Sequence, residues 1–148
     1  MPRGPSRPPR EVLVDTSALY ALLCATDACH DAARTTAQEL FARDATLIES
    51  SYVVAETSVL LQSRLGRRAA RGFLLDFVPY LDVAWVDEGL HARGLENWLA
   101  QESSQASLVD CISFALGHEL RLETAFAFDR HFATQGFSVL PPLTESVG

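Results

Sequence analysis

Short apolar segments alternate with segments of helical periodicity along almost the whole chain, and this alternation limits the possible folds more than any other feature. Apolar strands are predicted at 11–15, 45–49, 82–86, 124–128 and 137–140. Helices are predicted at 16–25, 28–42, 52–65, 67–80, 88–102 and 108–120, with a short turn at 130–133. Apolar strands separated by helices form a parallel sheet that helices cover on both faces. The sequence therefore predicts an α/β fold whose central sheet has four or five mostly parallel strands.

The length and composition of the chain fit one globular domain. Its 148 residues suffice to bury a core, and 48% apolar with 21% charged residues is an ordinary globular balance. We expect a single domain at 11–143, a flexible arm rich in Pro and Arg at 1–10, and a tail at 144–148. No apolar run approaches the roughly 18 residues of a membrane span, and the arm lacks the apolar stretch of a signal peptide. We therefore expect a cytoplasmic protein without a membrane segment.

The chain is acidic, and it contains twelve Arg residues and no Lys. The net charge is −7, but Arg3, Arg7 and Arg10 lie in the arm, so the body is more acidic still. Such a body does not hold a polyanion by non-specific attraction, although a bound divalent metal could supply positive charge. The absence of Lys excludes the usual forms of dehalogenase-type phosphatases, receiver domains and P-loop nucleotide binders. The three cysteines include no Cys-x-x-Cys pair, so neither a disulfide framework nor a zinc site is indicated.

Four acidic residues lie where a parallel sheet concentrates its ligand-binding groups. Asp15 closes the first predicted strand and Asp129 closes the fourth, and ligands of such sheets bind beyond the carboxyl ends of the strands. Glu56 and Asp110 follow apolar residues in predicted helices, where a charge is costly unless it is paired or binds a metal. Ligands that are all oxygens suit Mg²⁺ or Mn²⁺, and such a site beside a polyanion favours phosphodiester hydrolysis.

Each of the four acids also has a structural interpretation, which the residues alone leave open. Asp15 could cap the helix that follows it, and Asp110 could complement the dipole of its helix. Glu56 could lie on a solvated helix face, and Asp129 could start a turn. The catalytic interpretation requires that all four converge. Two carboxylates about 4 Å apart repel by roughly 4 kcal/mol in a partly polar environment, so a cluster would hold a proton or bind a cation.

Five short motifs carry a resemblance that extends from Val12 to Pro141. They are Val14-Asp15-Thr16-Ser17-Ala18, Ala55-Glu56-Thr57, the segment from Ser107 to Phe114, Phe128-Asp129-Arg130-His131-Phe132 and Gly136-Phe137. In this order and spacing they resemble the PIN-domain nucleases, and among these the VapC-type toxins of bacterial toxin–antitoxin pairs. One departure is Ala127, because many relatives have Thr or Ser two residues before the last aspartate.

The resemblance implies a PIN-like three-layer α/β/α sandwich and an endoribonuclease that depends on Mg²⁺ or Mn²⁺. The four acidic residues would form a catalytic and metal-binding quartet, and Thr16 or Ser17 would orient Asp15. A mechanistic hypothesis follows from the chemistry of such a site. Asp15 and Asp110 would hold the metal, Glu56 and Asp129 would complete its shell or orient water, and water would attack phosphorus in line to leave a 5′-phosphate and a 3′-hydroxyl. The resemblance also implies a homodimer, silenced by a small VapB-like antitoxin that occupies the active-site groove.

Other interpretations stay open on the sequence. The chain could be a PIN nuclease of RNA processing without a toxin role, or a non-catalytic PIN-like binding module, since a fold does not guarantee activity. DNA is not excluded as a substrate, and no particular RNA is indicated. The basic segment 67–71 and the arm could contact RNA phosphates, although solvated surfaces are the simpler interpretation. No role is assigned to His131, and Trp85 and Trp98 are interpreted as core or interface residues.

Overall fold

The computed structural model describes residues 10–143, in which strands and helices alternate. The strands are β1 (Glu11–Val14), β2 (Thr46–Ser50), β3 (Asp82–Ala84), β4 (Thr124–Phe126) and β5 (Ser138–Leu140). The helices are α1 (Thr16–Leu23), α2 (His30–Ala42), α3 (Ser51–Leu65), α4 (Arg67–Gly72), α5 (Glu88–Ala100), α6 (Leu108–Glu119) and α7 (His131–Thr134). Apart from its last residue, the arm predicted at 1–10 lies outside the described residues, as does the tail predicted at 144–148.

All five strands are parallel, and their order in the sheet is β3-β2-β1-β4-β5. The chain adds β2 and β3 on one side of β1 and then returns to add β4 and β5 on the other side. This reversal leaves a crevice at the carboxyl ends of β1 and β4, which is where open α/β sheets bind ligands. The topology confirms the predicted parallel α/β fold.

Helices cover both faces of the sheet and so form two separate cores. Val12 and Val14 of β1 pack on the face covered by α1 to α4, whereas Leu13 between them packs against α5 and α6. Leu47 and Ile48 of β2 alternate in the same way, because successive side chains of a strand point to opposite faces. This arrangement confirms the three-layer α/β/α sandwich.

A glycine brings α5 close to α6. A Cβ atom at Gly94 would lie 2.3 Å from Cγ1 of Ile112 and 3.0 Å from its Cα, so no larger residue fits without displacement of α6. The fold therefore uses a small residue in α5 to set the position of α6. That position matters because the first turn of α6 carries Asp110.

The boundaries of the elements lie within two residues of those predicted, with two local differences. The helix predicted at 67–80 changes from α-helix to a π-helical segment at Phe73–Phe77 and a 3₁₀ turn at Val78–Tyr80. Pro79 explains the change, because it lacks an N–H and its ring clashes with the carbonyl of the preceding helical turn. The turn predicted at 130–133 is the short helix α7.

The described surface carries two exposed tryptophans. Trp85, just beyond the edge strand β3, is 81% exposed, and Trp98 near the end of α5 is 45% exposed. Their interpretation as core residues is therefore wrong, because an apolar residue at a sheet edge or on an outer helix face has no layer above it. Their alternative interpretation as interface residues stays a prediction. Among the helices at 10–143, none is both long and apolar enough to span a bilayer.

Candidate active site

The four acids singled out in the sequence lie at the carboxyl edge of the sheet, around the crevice between β1 and β4. Asp15 directly follows β1, and Asp129 lies three residues beyond the end of β4. Glu56 is in the second turn of α3, which begins where β2 ends. Asp110 is in the first turn of α6, the helix that returns the chain to β4. Four different elements thus each deliver one carboxyl group to one edge.

The charges of the four acids act on one another. Burial is the largest cause that raises the pKa values of Asp15, Glu56 and Asp110, because it removes each carboxylate from water. The negative charge of Asp110 further raises the pKa of Asp15 and of Glu56. The charge of Asp129 does the same to Asp15 and Asp110. The four groups therefore form one electrostatic cluster, with Asp110 linked to each of the others.

Asp15 is the most deeply buried member, with 3% of its surface exposed. Its Oδ2 accepts hydrogen bonds from the Ser17 N–H at 3.2 Å and from the Ser17 hydroxyl at 2.6 Å. Its Oδ1 is buried and has no hydrogen-bond partner among the described residues. Burial raises the pKa of Asp15 to about 7 against the opposing bonds from Ser17, and the neighbouring carboxylates contribute. Asp15 is thus poised between its protonated and ionised forms near neutral pH.

Ser17 joins the ends of the two strands that border the crevice. While its hydroxyl donates to Asp15, the same oxygen accepts a hydrogen bond of 2.9 Å from the backbone N–H of Phe128, just beyond β4. Of the two hydroxyl neighbours considered from the sequence, Ser17 is the one that orients Asp15. Thr16 instead lies near Glu56, where it opposes the rise in the pKa of that carboxyl caused mainly by burial. The Thr16 hydroxyl makes no hydrogen bond of ordinary geometry within residues 10–143.

Asp110 is held by a capping box at the start of α6. Its Oδ2 accepts from the Ser107 N–H at 3.0 Å, and the Ser107 hydroxyl accepts from the Asp110 N–H at 3.1 Å. The first bond orients the Asp110 carboxylate, and the second orients the Ser107 hydroxyl at the start of the helix. The other carboxylate oxygen of Asp110 accepts no hydrogen bond from the part of the chain that the structure describes.

Asp129 forms a pair with His131, a residue for which no role is predicted from the sequence. Oδ1 of Asp129 accepts from the His131 N–H at 2.9 Å and lies 2.6 Å from Nδ1 of the imidazole. Asp110, Asp129 and His131 each offer one ligand atom, and these atoms lie within 4.8 Å of one another. The signal that could have identified His131 is the Asp-x-His spacing, because an Asp at a turn bonds the backbone two residues later.

The structural and catalytic interpretations of these residues are compatible. Asp15 caps α1, Asp110 completes a capping box and Asp129 accepts a backbone N–H at the start of α7. Each of these local bonds uses one carboxylate oxygen and leaves the other without a hydrogen bond from residues 10–143. Glu56 is half-buried rather than on a fully solvated face. The same local bonds that stabilise the helices therefore also orient free oxygens.

An open apolar groove borders the acidic cluster on the side of α3. It has a volume of about 590 Å³ and begins at Glu56 and at Val109, the residue before Asp110. Tyr52 and Val59 of α3 line it, and the Tyr52 hydroxyl forms a 2.7 Å hydrogen bond with Nδ1 of His91 on α5. A segment bound in this groove would lie directly beside the carboxylates.

Comparison with known proteins gives a family and a relative that match almost the entire chain. The PIN domain family model matches residues 12–137. The 23S rRNA-specific endonuclease VapC20 of Mycobacterium tuberculosis, recorded in two strains, is 32% identical over 133 residues. The match covers 88% of this chain and 98% of VapC20.

Two crystal structures share the fold. That of M. tuberculosis VapC20, described as a Sarcin-Ricin loop cleaving toxin, superposes with a TM-score of 0.73 at 32% identity and covers 85% of this chain and 95% of that one. That of FitAcB from Neisseria gonorrhoeae superposes with a TM-score of 0.66 at 16% identity and covers 88% and 97%. The second likeness supports the fold alone.

Proposed function

The chain belongs to the PIN-domain family, and from this premise we propose that it is an endoribonuclease that acts as the toxin of a type II toxin–antitoxin pair. The observation that carries the proposal is the convergence of Asp15, Glu56, Asp110 and Asp129 at the β1/β4 crevice, with a buried carboxylate oxygen left unpartnered. A non-catalytic binding module has no need to bury mutually repelling carboxylates. The relative VapC20 is matched over nearly its whole length, and its crystal structure is described as that of a toxin, which favours the toxin over an RNA-processing role.

The residues present fit a divalent cation. The unpartnered Oδ1 of Asp15, together with the group formed by Asp110, Asp129 and His131, offers a mainly oxygen donor set of the kind that Mg²⁺ and Mn²⁺ prefer. We propose that the acidic quartet holds the ion. Mg²⁺ or Mn²⁺ would supply the positive charge that offsets the carboxylates, stabilises charge on the phosphate and lowers the pKa of a water.

The protein's own contribution is orientation and proton transfer. Ser17 holds Asp15, and the capping box with Ser107 holds Asp110, so both carboxylates are positioned before substrate arrives. Glu56 is half-buried and its raised pKa makes it a better proton acceptor, so we assign it the proton of the attacking water. In-line attack of the water oxygen on phosphorus would break the bond between phosphorus and the 3′-oxygen, which leaves a 5′-phosphate and, once the 3′-oxygen takes a proton from solvent, a 3′-hydroxyl.

Incubation of the purified protein with RNA tests the proposal directly. Ribosomes containing 23S rRNA are the first substrate to try, because the relative VapC20 is a 23S rRNA-specific endonuclease. We expect cleavage with Mn²⁺ or Mg²⁺, none with EDTA, and fragments whose 5′ ends are ligatable without a kinase. Fragments with 2′,3′-cyclic phosphate ends, or full activity in EDTA, would contradict the mechanism.

Metal binding is expected to release a proton from Asp15 in a way that depends on pH. Burial raises its folded pKa to about 7, so the carboxyl is mainly protonated at about pH 6 and mainly ionised at about pH 8. A cation binds the ionised form, so its affinity should fall by up to about tenfold per pH unit below the pKa. Calorimetry of Mn²⁺ binding in buffers of different ionisation enthalpy measures the release. Equal heats in all buffers at about pH 6 would exclude it.

We further propose two protein partners and a cytoplasmic location, where RNA is found. A small antitoxin would occupy the apolar groove beside Glu56 and so cover the acidic cluster. A second copy of the chain would cover exposed apolar side chains, of which Trp98 and Leu99 on α5 are the largest adjacent pair. Multi-angle light scattering of the purified chain distinguishes this homodimer from a monomer.

A further inference from the structure

The positive charge of the described chain is concentrated in one segment. Residues 57–75 contain four arginines and no acidic residue, whereas the rest of the described chain has six arginines and eighteen acidic residues. The four are Arg64 at the end of α3 and Arg67, Arg68 and Arg71 in α4, here called the arginine cluster. Within residues 10–143, an otherwise acidic surface thus carries a concentration of basic residues at the α3–α4 turn.

The arginine cluster is exposed and its charges are not neutralised by the protein. All four side chains face solvent, and none forms an ion pair with a carboxylate of residues 10–143. By contrast, Arg93 of α5 pairs with Glu119 of α6 at 2.8 Å. The Arg64 guanidinium lies over the Tyr20 ring, 5.1 Å from its centroid, a contact that positions the cation and keeps its charge.

The positions within the cluster are unfavourable for the helix itself. Arg67 and Arg71 are four residues apart, so two like charges share one helix face, and both line a depression of about 210 Å³. Arg67 and Arg68 also occupy the first turn of α4, where the helix dipole disfavours cations. Helical stability does not explain this arrangement, whereas a bound anion would relieve both repulsions.

One member of the cluster, Arg64, lies within reach of a strand bound at the active site, and the other three follow it within seven residues of the chain. Arg64 is eight residues after Glu56 on the same helix, which is about 12 Å along the axis. Its partner Tyr20 is on α1, the helix that Asp15 caps. At about 3.4 Å per stacked nucleotide, the separation corresponds to about three or four nucleotides.

We propose that the arginine cluster binds phosphates of the RNA a few nucleotides away from the scissile bond. The inference rests on the proposed ribonuclease function, since carboxylates at the cleavage site repel RNA and an attractive surface elsewhere must hold it. Guanidinium groups suit this role because they bind phosphate oxygens through paired hydrogen bonds. An acidic segment of a protein is the competing ligand, and the test includes it.

The test measures binding separately from cleavage. A fluorescein-labelled single-stranded RNA is titrated in EDTA with the wild-type chain, with the Arg67→Gln/Arg71→Gln variant and with the Arg67→Lys/Arg71→Lys variant. Arg34→Gln/Arg43→Gln, on and just after α2, removes the same charge from an exposed site outside the cluster and serves as the matched control. Circular dichroism melts establish that all four proteins are folded.

We expect the slope of log affinity against log salt to shrink by about 1.4 in the Gln pair at 67 and 71, because two phosphate contacts are lost. Affinity at low salt should fall about tenfold or more, while the Lys pair keeps most of the salt slope. The control should keep the affinity and slope of the wild-type chain.

Two results would overturn the proposal. The first is equal affinity and equal salt slope for the Gln pair at 67 and 71 and the control. The second is unchanged RNA binding in that Gln pair together with lost binding of poly-glutamate, which would assign the surface to an acidic protein segment. Cleavage of RNA in Mn²⁺ by the wild-type chain is scored separately, so either result leaves the proposed ribonuclease function standing on its own test.

Discussion

Replacement of Asp15 by Asn is expected to reduce RNA cleavage at least about 1000-fold and, in the same protein, to raise thermal stability in EDTA. The two effects have one cause. The buried Oδ1 of Asp15 has no hydrogen-bond partner in residues 10–143, so the ionised side chain costs folding energy that the Ser17 bonds to Oδ2 offset only in part and that a bound cation would offset further.

The expected stabilisation follows from the pKa of Asp15. Burial raises that pKa from 3.8 to about 7. Between these values the folded protein holds a proton that the unfolded chain gives up, so the free energy of unfolding falls as pH rises through this window. Asn carries no charge and keeps an oxygen for the Ser17 bonds, and its amide can donate toward the neighbouring carboxylates. At about pH 8 without metal, we expect Asn to be more stable by about 1 to 4 kcal/mol.

Thermal melts in EDTA and in Mn²⁺, with cleavage assays of the same samples, measure both effects. Asp76→Asn is the matched control, because Asp76 is an exposed helical acid whose flanking residues are also apolar. Mn²⁺ should raise the melting temperature of the wild-type and Asp76→Asn proteins and have a much smaller effect on Asp15→Asn. Undiminished cleavage by Asp15→Asn, or its destabilisation in EDTA, would remove Asp15 from the proposed metal site.

Replacement of Glu49 by Gln is expected to stabilise the protein increasingly as pH rises. Glu49 lies in β2 opposite Val83 of β3, is 0% exposed, and neither of its carboxylate oxygens has a hydrogen-bond partner within the described chain. Burial raises the pKa of Glu49 from 4.5 to about 8. The folded protein therefore holds the proton over this window while the unfolded chain loses it, and stability falls as pH rises toward 8.

The difference in unfolding free energy between Glu49→Gln and wild type should grow by up to about 1.4 kcal/mol per pH unit between about pH 5 and pH 8. Urea denaturation at several pH values in EDTA measures it. The difference between the two proteins is the informative quantity, because Asp15 titrates in both. Glu39→Gln on the exposed face of α2 is the control and should run parallel to wild type. If the unfolding free energy of Glu49→Gln also runs parallel to that of wild type against pH, Glu49 is ionised or solvated in the folded protein.

The burial of Glu49 could not be predicted from the sequence. It was predicted as the last residue of a strand, and nothing in its neighbours distinguishes it from an acid at an exposed strand end. Whether both faces of β2 are covered at that point depends on α3 and on the neighbouring strands. Tyr52, Val59 and the apolar groove raise the same difficulty, since their exposure depends on which helices lie beside α3.

The sequence by itself determined the order and type of the elements and the four acids that they bring together. These follow from local signals, namely the apolar periodicity of the strands and helices and the position of Asp15 as a helix cap. Because parallel strands end at one edge, strand ends alone sufficed to bring Asp15 and Asp129 to that edge.

Only the tertiary structure decided how each carboxyl group is used. The strand order places β4 beside β1. The adjacency of these two strands forms the crevice and allows the hydrogen bond from the Phe128 N–H to the Ser17 hydroxyl. Burial made Asp15 a protonatable group, and the start of α7 brought His131 onto Asp129. The physical reason is range: helix and strand formation depend on residues near in sequence, whereas desolvation and charge pairing depend on residues that only folding brings together.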